Sequence, residues 1–144
     1  MHPTELLAKQ HQDLLALLDE LDFTGDAIER TRLIARGAEL LKIHSAVNEE
    51  VFYPALRNAD ALAVDDGLAA QRAIDTWLDE VVGAPTAANV KVLREMVEQH
   101  LTADETRLFP IVEALDDAAA DTLAEHLRRY ADAAEDETLA GKGR

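Results

Sequence analysis

Apolar residues recur at helical spacing in five segments of the chain, and short breaks containing Gly, Pro or Asp separate these segments. Thr4 is a candidate N-cap for the first segment. No stretch shows the β-branched alternation and paired turn signals of strands. The pattern therefore predicts an all-α protein. Its five helices cover residues 3–22, 28–58, 64–82, 86–115 and 117–135, each bound being approximate.

Four of these segments are long and amphipathic, and short connections join them. This arrangement predicts an antiparallel up-down four-helix bundle. The additional C-terminal helix is expected to pack across the outside of the bundle or to extend one end. A chain of 144 residues fits one domain, which we assign to residues 1–135. Residues 136–144 are expected to form a polar, flexible tail.

The composition excludes several classes of function. The protein is acidic, with 29 Asp and Glu against 14 Lys and Arg, so it would repel a phosphate backbone and we expect no nucleic acid partner. The start lacks a signal-peptide pattern, and no apolar run reaches the roughly 20 residues of a membrane span. We therefore expect a cytoplasmic protein without membrane contact, either a monomer or a homodimer. Because cysteine is absent, nitrogen and oxygen must hold any metal.

Two stretches of the chain resemble each other, His44 to Pro54 and His100 to Pro110. Each has Glu five residues after the His, an aromatic residue nine after it and Pro ten after it. A lone His on an apolar helix face is more often a satisfied core residue than a ligand, but two in matched contexts favour ligands. His11 lies on the apolar stripe of the first segment, and Gln71 lies on that of the third.

Helix geometry selects the partners of the repeated histidines. Residues four apart are about 6 Å apart along the axis and about 40° around it, so both side chains can reach one ion. Asn48 and Asp104 hold these positions relative to the two histidines. Glu49 and Glu105, one residue further on, are about 140° away and are second choices. If each repeated helix pairs with the one before it, His11 faces His44 and Gln71 faces His100, a pseudo-twofold arrangement typical of two-metal bundles.

The sequence resembles the hemerythrin-like, or HHE cation-binding, family over roughly residues 4 to 115. The resemblance rests on His11, on HSAVNEEVFYPAL in the second segment and on HLTADETRLFPIV in the fourth. It implies a non-haem di-iron centre between the four helices, held by His and bridging carboxylate ligands. Proteins of this family handle O₂, peroxide, nitric oxide or iron itself, so the implied partner is a small molecule of this kind.

The sequence departs from the family pattern at two expected ligands. Asn48 stands where a second-helix Glu is expected, and Gln71 stands where a third-helix His is expected. The position four before Gln71 is Gly67, which has no side chain to offer. An amide is a poor ligand for iron because its oxygen is neutral, so each half of the site lacks one donor.

Three alternatives follow from these departures. In the first, one firmly bound ion is held by three imidazoles and a carboxylate, a set that suits iron(II), zinc or manganese. In the second, Glu49 and Glu105 complete a two-iron site. In the third, the cavity is metal-free and its side chains hydrogen-bond one another. The residues of the first alternative are His11, His44, His100 and Asp104, with Glu105 as an alternative carboxylate.

These alternatives lead to different functions. A retained iron site indicates a binder or sensor of O₂, peroxide or nitric oxide, or a weak oxidase or catalase, so enzyme activity stays open. In it, a vacant coordination position would take the small molecule, and Asn48 or Gln71 would donate a hydrogen bond to it. A metal-free bundle would instead be a scaffold for a partner or a small organic ligand.

Overall fold

The computed structural model describes residues 2–142, with side chains described as far as residue 136. No strand occurs within that range. The helices are α1 (Pro3–Phe23), α2 (Ala27–Val47), a π-helical turn (Asn48–Phe52), α3 (Tyr53–Leu56), α4 (Ala61–Gly83), α5 (Ala87–Arg107), α6 (Phe109–Glu113) and α7 (Asp117–Lys142). Helices α1 and α2 pack as one hairpin, α4 and α5 as the other, and α7 packs against α1 and α2. This confirms the predicted four-helix bundle with an additional C-terminal helix.

The start of α1 differs from the prediction. His2, and not Thr4, is the N-cap, and its Nδ1 accepts a hydrogen bond from the backbone N–H of Thr4 at 3.3 Å. Pro3 occupies the first helical position, where its fixed φ suits the helix and its missing N–H costs nothing. The prediction of Thr4 as the N-cap was wrong because it ignored this proline.

A π-helical turn interrupts the second predicted helix at Asn48–Phe52. Pro54 has no N–H to donate to the Glu50 carbonyl, and its ring crowds that carbonyl, so the regular α-helical spacing cannot continue there. The backbone N–H of Tyr53 bonds instead to the carbonyl of Asn48, five residues earlier. One residue is added to the turn, and every side chain after it is rotated relative to α2.

The other helices match their predicted positions with shifted ends. The fourth predicted segment is divided into α5 and α6, and the division lies just before Pro110. Helix α7 continues to Lys142, so it includes much of the segment assigned to a tail. Residues 143–144 lie outside the described residues, and the flexibility of the tail stays a prediction. Among the described helices, none combines the length and the apolarity needed to cross a membrane.

The core consists of two apolar clusters with a polar layer between them. One cluster includes Leu7 on α1 and Val47 on α2, and the other includes Leu14 and Leu41 on the same two helices. Among residues 2–136, seven polar or charged residues are buried, and six of them lie on the four bundle helices or the π-helical turn between these clusters. These six are His11, His44, Asn48, Gln71, His100 and Asp104.

Candidate metal centre

Three histidines from three helices meet in the polar layer. The ring centres of His11 and His44 are 5.1 Å apart, and those of His44 and His100 are 6.0 Å apart. Two imidazoles that bind one tetrahedral ion through bonds of about 2.1 Å have ring centres about 5 Å apart. The predicted histidines are therefore brought together, at a spacing close to that of a shared ion.

His11 and His44 are each held in one orientation through Nδ1. The Nδ1–H of His11 donates to Oε1 of Glu105 at 2.9 Å, and the Nδ1–H of His44 faces Oε1 of Gln10 at 3.3 Å. Both acceptors are oxygens, so the proton of each neutral ring lies on Nδ1 and the lone pair lies on Nε2. Histidines that bind metals are usually oriented in this way by an acceptor on the other ring nitrogen.

His100 has no partner for either ring nitrogen among the described residues, although it is only 4% exposed. Its Nε2 lies 3.8 Å from Oδ2 of Asp104, too far for a hydrogen bond. Asn48 Oδ1 and Gln71 Nε2 also lack partners. Buried polar atoms are nearly always satisfied, so this group of atoms indicates room for an ion or an ordered water.

Asn48 and Gln71 are hydrogen-bonded to each other within the layer. The Asn48 amide donates to Oε1 of Gln71 at 2.6 Å and also faces Nε2 of His44 at 3.2 Å. It therefore occupies the lone pair that His44 would offer to an ion. The structure pairs Gln71 with Asn48, whereas the pseudo-twofold arrangement placed it opposite His100.

Tyr53 is the residue of the site whose role the sequence did not reveal. Its hydroxyl donates to Oδ2 of Asp104 at 2.6 Å and lies 3.4 Å from the Asn48 amide. The π-helical turn explains this position, because residues five apart share a side of a π-helix but not of an α-helix. Pro54 was the available signal for the altered turn.

Gly67 makes the space that the Tyr53 ring occupies. A Cβ atom at residue 67 would lie 2.5 Å from the Tyr53 hydroxyl oxygen and 3.3 Å from Oδ1 of Asp104. Any side chain at this position would therefore displace the phenol. Tyr53 takes the volume where a ligand from the third bundle helix would stand.

The three carboxylates predicted as possible ligands differ in how close they lie to the polar layer. Glu105 reaches across to His11, and its side chain is 44% exposed. Glu49 is exposed and lines a different depression with Asp75, outside the polar layer. Asp104 is thus the only carboxylate among the described residues that is buried in the layer.

Burial sets the protonation of the layer. Burial lowers the pKa of His11, although the hydrogen bond and the charge of Glu105 partly offset this effect. Burial also lowers the pKa of His44 well below its ordinary value and lowers the pKa of His100 to about 4. Burial also raises the pKa of Asp104 to about 6, although the Tyr53 hydrogen bond opposes this. Burial and the adjacent Asp104 raise the pKa of the Tyr53 phenol, which therefore stays protonated. Near neutral pH the imidazoles are neutral, the form that binds metals.

The side chains fit one ion better than two. Three imidazoles and Asp104 suffice for one ion, whereas a second would need carboxylates where neutral amides and a phenol stand. Within the described part of the chain, no three His, Asp or Glu side chains form a metal-binding group as they stand. Binding therefore requires His44 to exchange the Asn48 amide for the ion.

The fold and this layer define a class, the four-helix bundles with a buried histidine and carboxylate cluster. A comparison with protein families matches residues 2–112 to the Hemerythrin HHE cation binding domain. The chain therefore belongs to the hemerythrin HHE cation-binding family, whose members bind metal. Comparisons with curated proteins and with solved structures find no match.

The first prediction concerns the packing of Tyr53 against Gly67. In an ordinary helix Gly→Ala stabilises by about 1 kcal/mol. We expect Gly67→Ala instead to destabilise by about 1 to 3 kcal/mol, because its Cβ would overlap the phenol. The measurement is the free energy of unfolding in urea. Gly83→Ala in the same helix, where a Cβ would meet nothing within 4 Å, is the control. Equal stabilisation by both substitutions would contradict the close contact.

The second prediction concerns pH in the metal-free protein. Unfolding restores the ordinary pKa of three histidines, so the unfolded chain binds more protons below about pH 6.5 and stability falls as the pH falls. Asp104 has the opposite effect on stability between about pH 6 and 4. Because its pKa is raised in the folded protein, the folded chain binds more protons than the unfolded chain at this carboxyl, which favours the folded state as the pH falls. The three histidines together have a larger effect than the single Asp104, so the free energy of unfolding should fall by on the order of 1 to 3 kcal/mol per pH unit near pH 5.

Two variants separate these contributions in urea unfolding between about pH 7.5 and 4.5. His100→Gln removes one buried imidazole and should make the loss of stability shallower. Asp104→Asn removes the opposing carboxyl and should make it steeper. A wild-type stability that is constant over this range would show that the histidines are not buried in neutral form.

Proposed function

We propose that this protein binds a single non-haem iron ion and acts as a binder or sensor of O₂, peroxide or nitric oxide. The observation that carries the proposal is the orientation of His11 and His44. Each has its Nδ1–H directed at an oxygen acceptor, which puts the lone pair on Nε2, the atom proposed to bind the metal; His44 exchanges its contact with the Asn48 amide for the ion. His100, which is buried and has no hydrogen-bond partner in the described part of the chain, supplies the third imidazole.

Asp104 is proposed as the anionic ligand. It is the carboxylate next to His100, and the Tyr53 hydroxyl fixes one of its oxygens. Glu105 is instead engaged with His11, where it orients the ring and stabilises the positive charge that a bound ion brings. Glu49 has no role in this site, because it is exposed and faces Asp75.

The iron would supply reversible binding of a small redox-active molecule. The chain supplies the surroundings, in which Phe109 stacks on His11 with ring centres 5.7 Å apart and the two apolar clusters exclude water. Asn48 and Gln71 are neutral amides, and their unpartnered atoms are placed to hydrogen-bond a small polar molecule in the layer. Zinc or manganese suits the same donors, and the choice of iron follows the family.

The third prediction tests the ion and its number. Protein purified from iron-replete cells should contain about one iron per chain by elemental analysis. His44→Ala and His100→Ala should each lower the content to less than about a tenth of an ion, because three or more donors are needed to hold it. His126→Ala, an exposed histidine on α7, should leave the content unchanged.

Two results would contradict this prediction. Two irons per chain, with the near-ultraviolet absorption of an oxo-bridged pair, would show that the amides and Tyr53 do not limit the site to one ion. Less than about a tenth of an ion per chain, unchanged after anaerobic loading with iron(II), would remove the metal function.

A metal-free scaffold is the second candidate function. It is favoured by the 2.6 Å hydrogen bond between Asn48 and Gln71 and by the absence of a ready metal-binding group among the described residues. Neutral amides, neutral imidazoles and a phenol can satisfy one another without an ion. This candidate requires that a chelator leaves the melting temperature unchanged, whereas loss of a bound ion lowers it.

A further inference from the structure

A cavity of about 270 Å³ lies between α4 and α5, on the side of the polar layer away from α1 and α2. Its inner end is formed by His100, Asp104 and Gly67, and its mouth lies beside the ion pair of Arg107 with Asp66 at 2.8 Å. Between them the lining consists mainly of small or apolar side chains, Ala70, Ile74 and Met96, and the exposed residues Ala73, Gln99 and Ala103 lie along its open side. A mostly apolar pocket with a few polar groups is typical of small-molecule sites.

His100 gives this cavity a specific hydrogen-bonding group. It lines the cavity, is 4% exposed, and has no partner for either ring nitrogen among the described residues. A neutral imidazole carries one N–H donor and one lone pair. If one nitrogen binds an ion, the other keeps its N–H, and without an ion a donor is present as well. Because no partner among the described residues fixes the proton of the ion-free ring, the tautomer that donates to a molecule in the cavity is available in both states.

The size and charge of the cavity restrict the molecule. An engineered protein cavity of about 150 Å³ holds benzene, so one of about 270 Å³ admits a bicyclic ring. An anion would approach the carboxylates of Asp104 and Asp66, and the one cation of the lining, Arg107, is already paired with Asp66. A strongly hydrated cation would lose water against alanine walls without replacement. A neutral, mostly apolar molecule fits these surroundings.

We propose that this cavity binds a small neutral organic molecule, of bicyclic ring size or smaller, that accepts a hydrogen bond from His100. This site goes beyond the proposed binding of O₂, peroxide or nitric oxide. It does not depend on a bound ion, since the walls and the donor are present in the chain itself.

The fourth prediction uses two probes with the same ring shape. Benzimidazole has a ring nitrogen that accepts a hydrogen bond, and indole has none. Both are titrated into the full-length protein after chelator treatment, at about pH 7.5, by calorimetry and amide NMR. We expect benzimidazole to bind with one-to-one stoichiometry and at least about tenfold more tightly than indole, because indole leaves the His100 donor unpaired. The amide shifts should be concentrated on α4 and α5.

Variants test the location. Ala70→Leu should fill the cavity and weaken benzimidazole binding by at least about tenfold. Ala69→Leu places the same side chain on the next residue of α4, which is exposed and does not line the cavity, and should leave binding unchanged. Ala103→Leu fills the cavity from α5 and provides the same test if Ala70→Leu fails to fold, as judged by circular dichroism.

Three results would overturn the proposal. These are equal affinities for the two probes, no saturable binding of benzimidazole at millimolar concentration, and equal weakening by Ala69→Leu and Ala70→Leu. Because the protein is chelated before titration, a failure of iron binding does not alter this test. A failure of benzimidazole binding likewise leaves the iron content unaffected.

Discussion

The structure depends on one constraint, the burial of several polar side chains between two apolar clusters. A buried polar group without a partner costs about 1 to 3 kcal/mol, so each of these side chains must find a partner or a ligand. Most of them do, through Asn48 with Gln71, Tyr53 with Asp104 and Glu105 with His11. Four atoms are left over, both ring nitrogens of His100, Oδ1 of Asn48 and Nε2 of Gln71, and they are the groups through which the layer can bind an ion or a polar molecule.

The two halves of the layer have diverged from the internal repeat. Tyr53 and Phe109 occupy equivalent repeat positions, yet the tyrosine reaches Asp104 and the phenylalanine stacks on His11. The π-helical turn causes part of this difference, since it follows α2 and has no counterpart between α5 and α6. Gly67 causes the rest, because only a residue without a side chain leaves space for the phenol. The first half contributes His11 and His44 and the second contributes His100, while hydrogen bonds join Asn48 and Tyr53 of the first half to Gln71 and Asp104 of the second.

The sequence was sufficient to predict the fold and to predict which polar residues the structure buries together in one layer, but it was insufficient to predict the hydrogen bonds among them. Periodicity identified the bundle helices, and the repeat identified His44 and His100, because both depend on local spacing. The contact of Tyr53 with Asp104 depends on the π-helical turn before Pro54, which rotates Tyr53 relative to α2. A prediction that assumes regular α-helical spacing places Tyr53 on a different side of the helix. The bond between Asn48 and Gln71 joins different helices, so it depends on how the hairpins pack.

His100 connects the two proposed sites physically. Its ring borders the histidine cluster on one side and the cavity between α4 and α5 on the other. An ion on one nitrogen fixes the proton on the other, so occupation of the cluster would hold His100 in a single tautomer, whereas the ion-free ring can adopt either. If a bound ion changes the affinity of the cavity for its organic ligand by some factor, the bound ligand changes the affinity for the ion by the same factor, because such coupling is reciprocal. If both proposed sites exist, a single buried imidazole would link metal binding with recognition of an organic molecule.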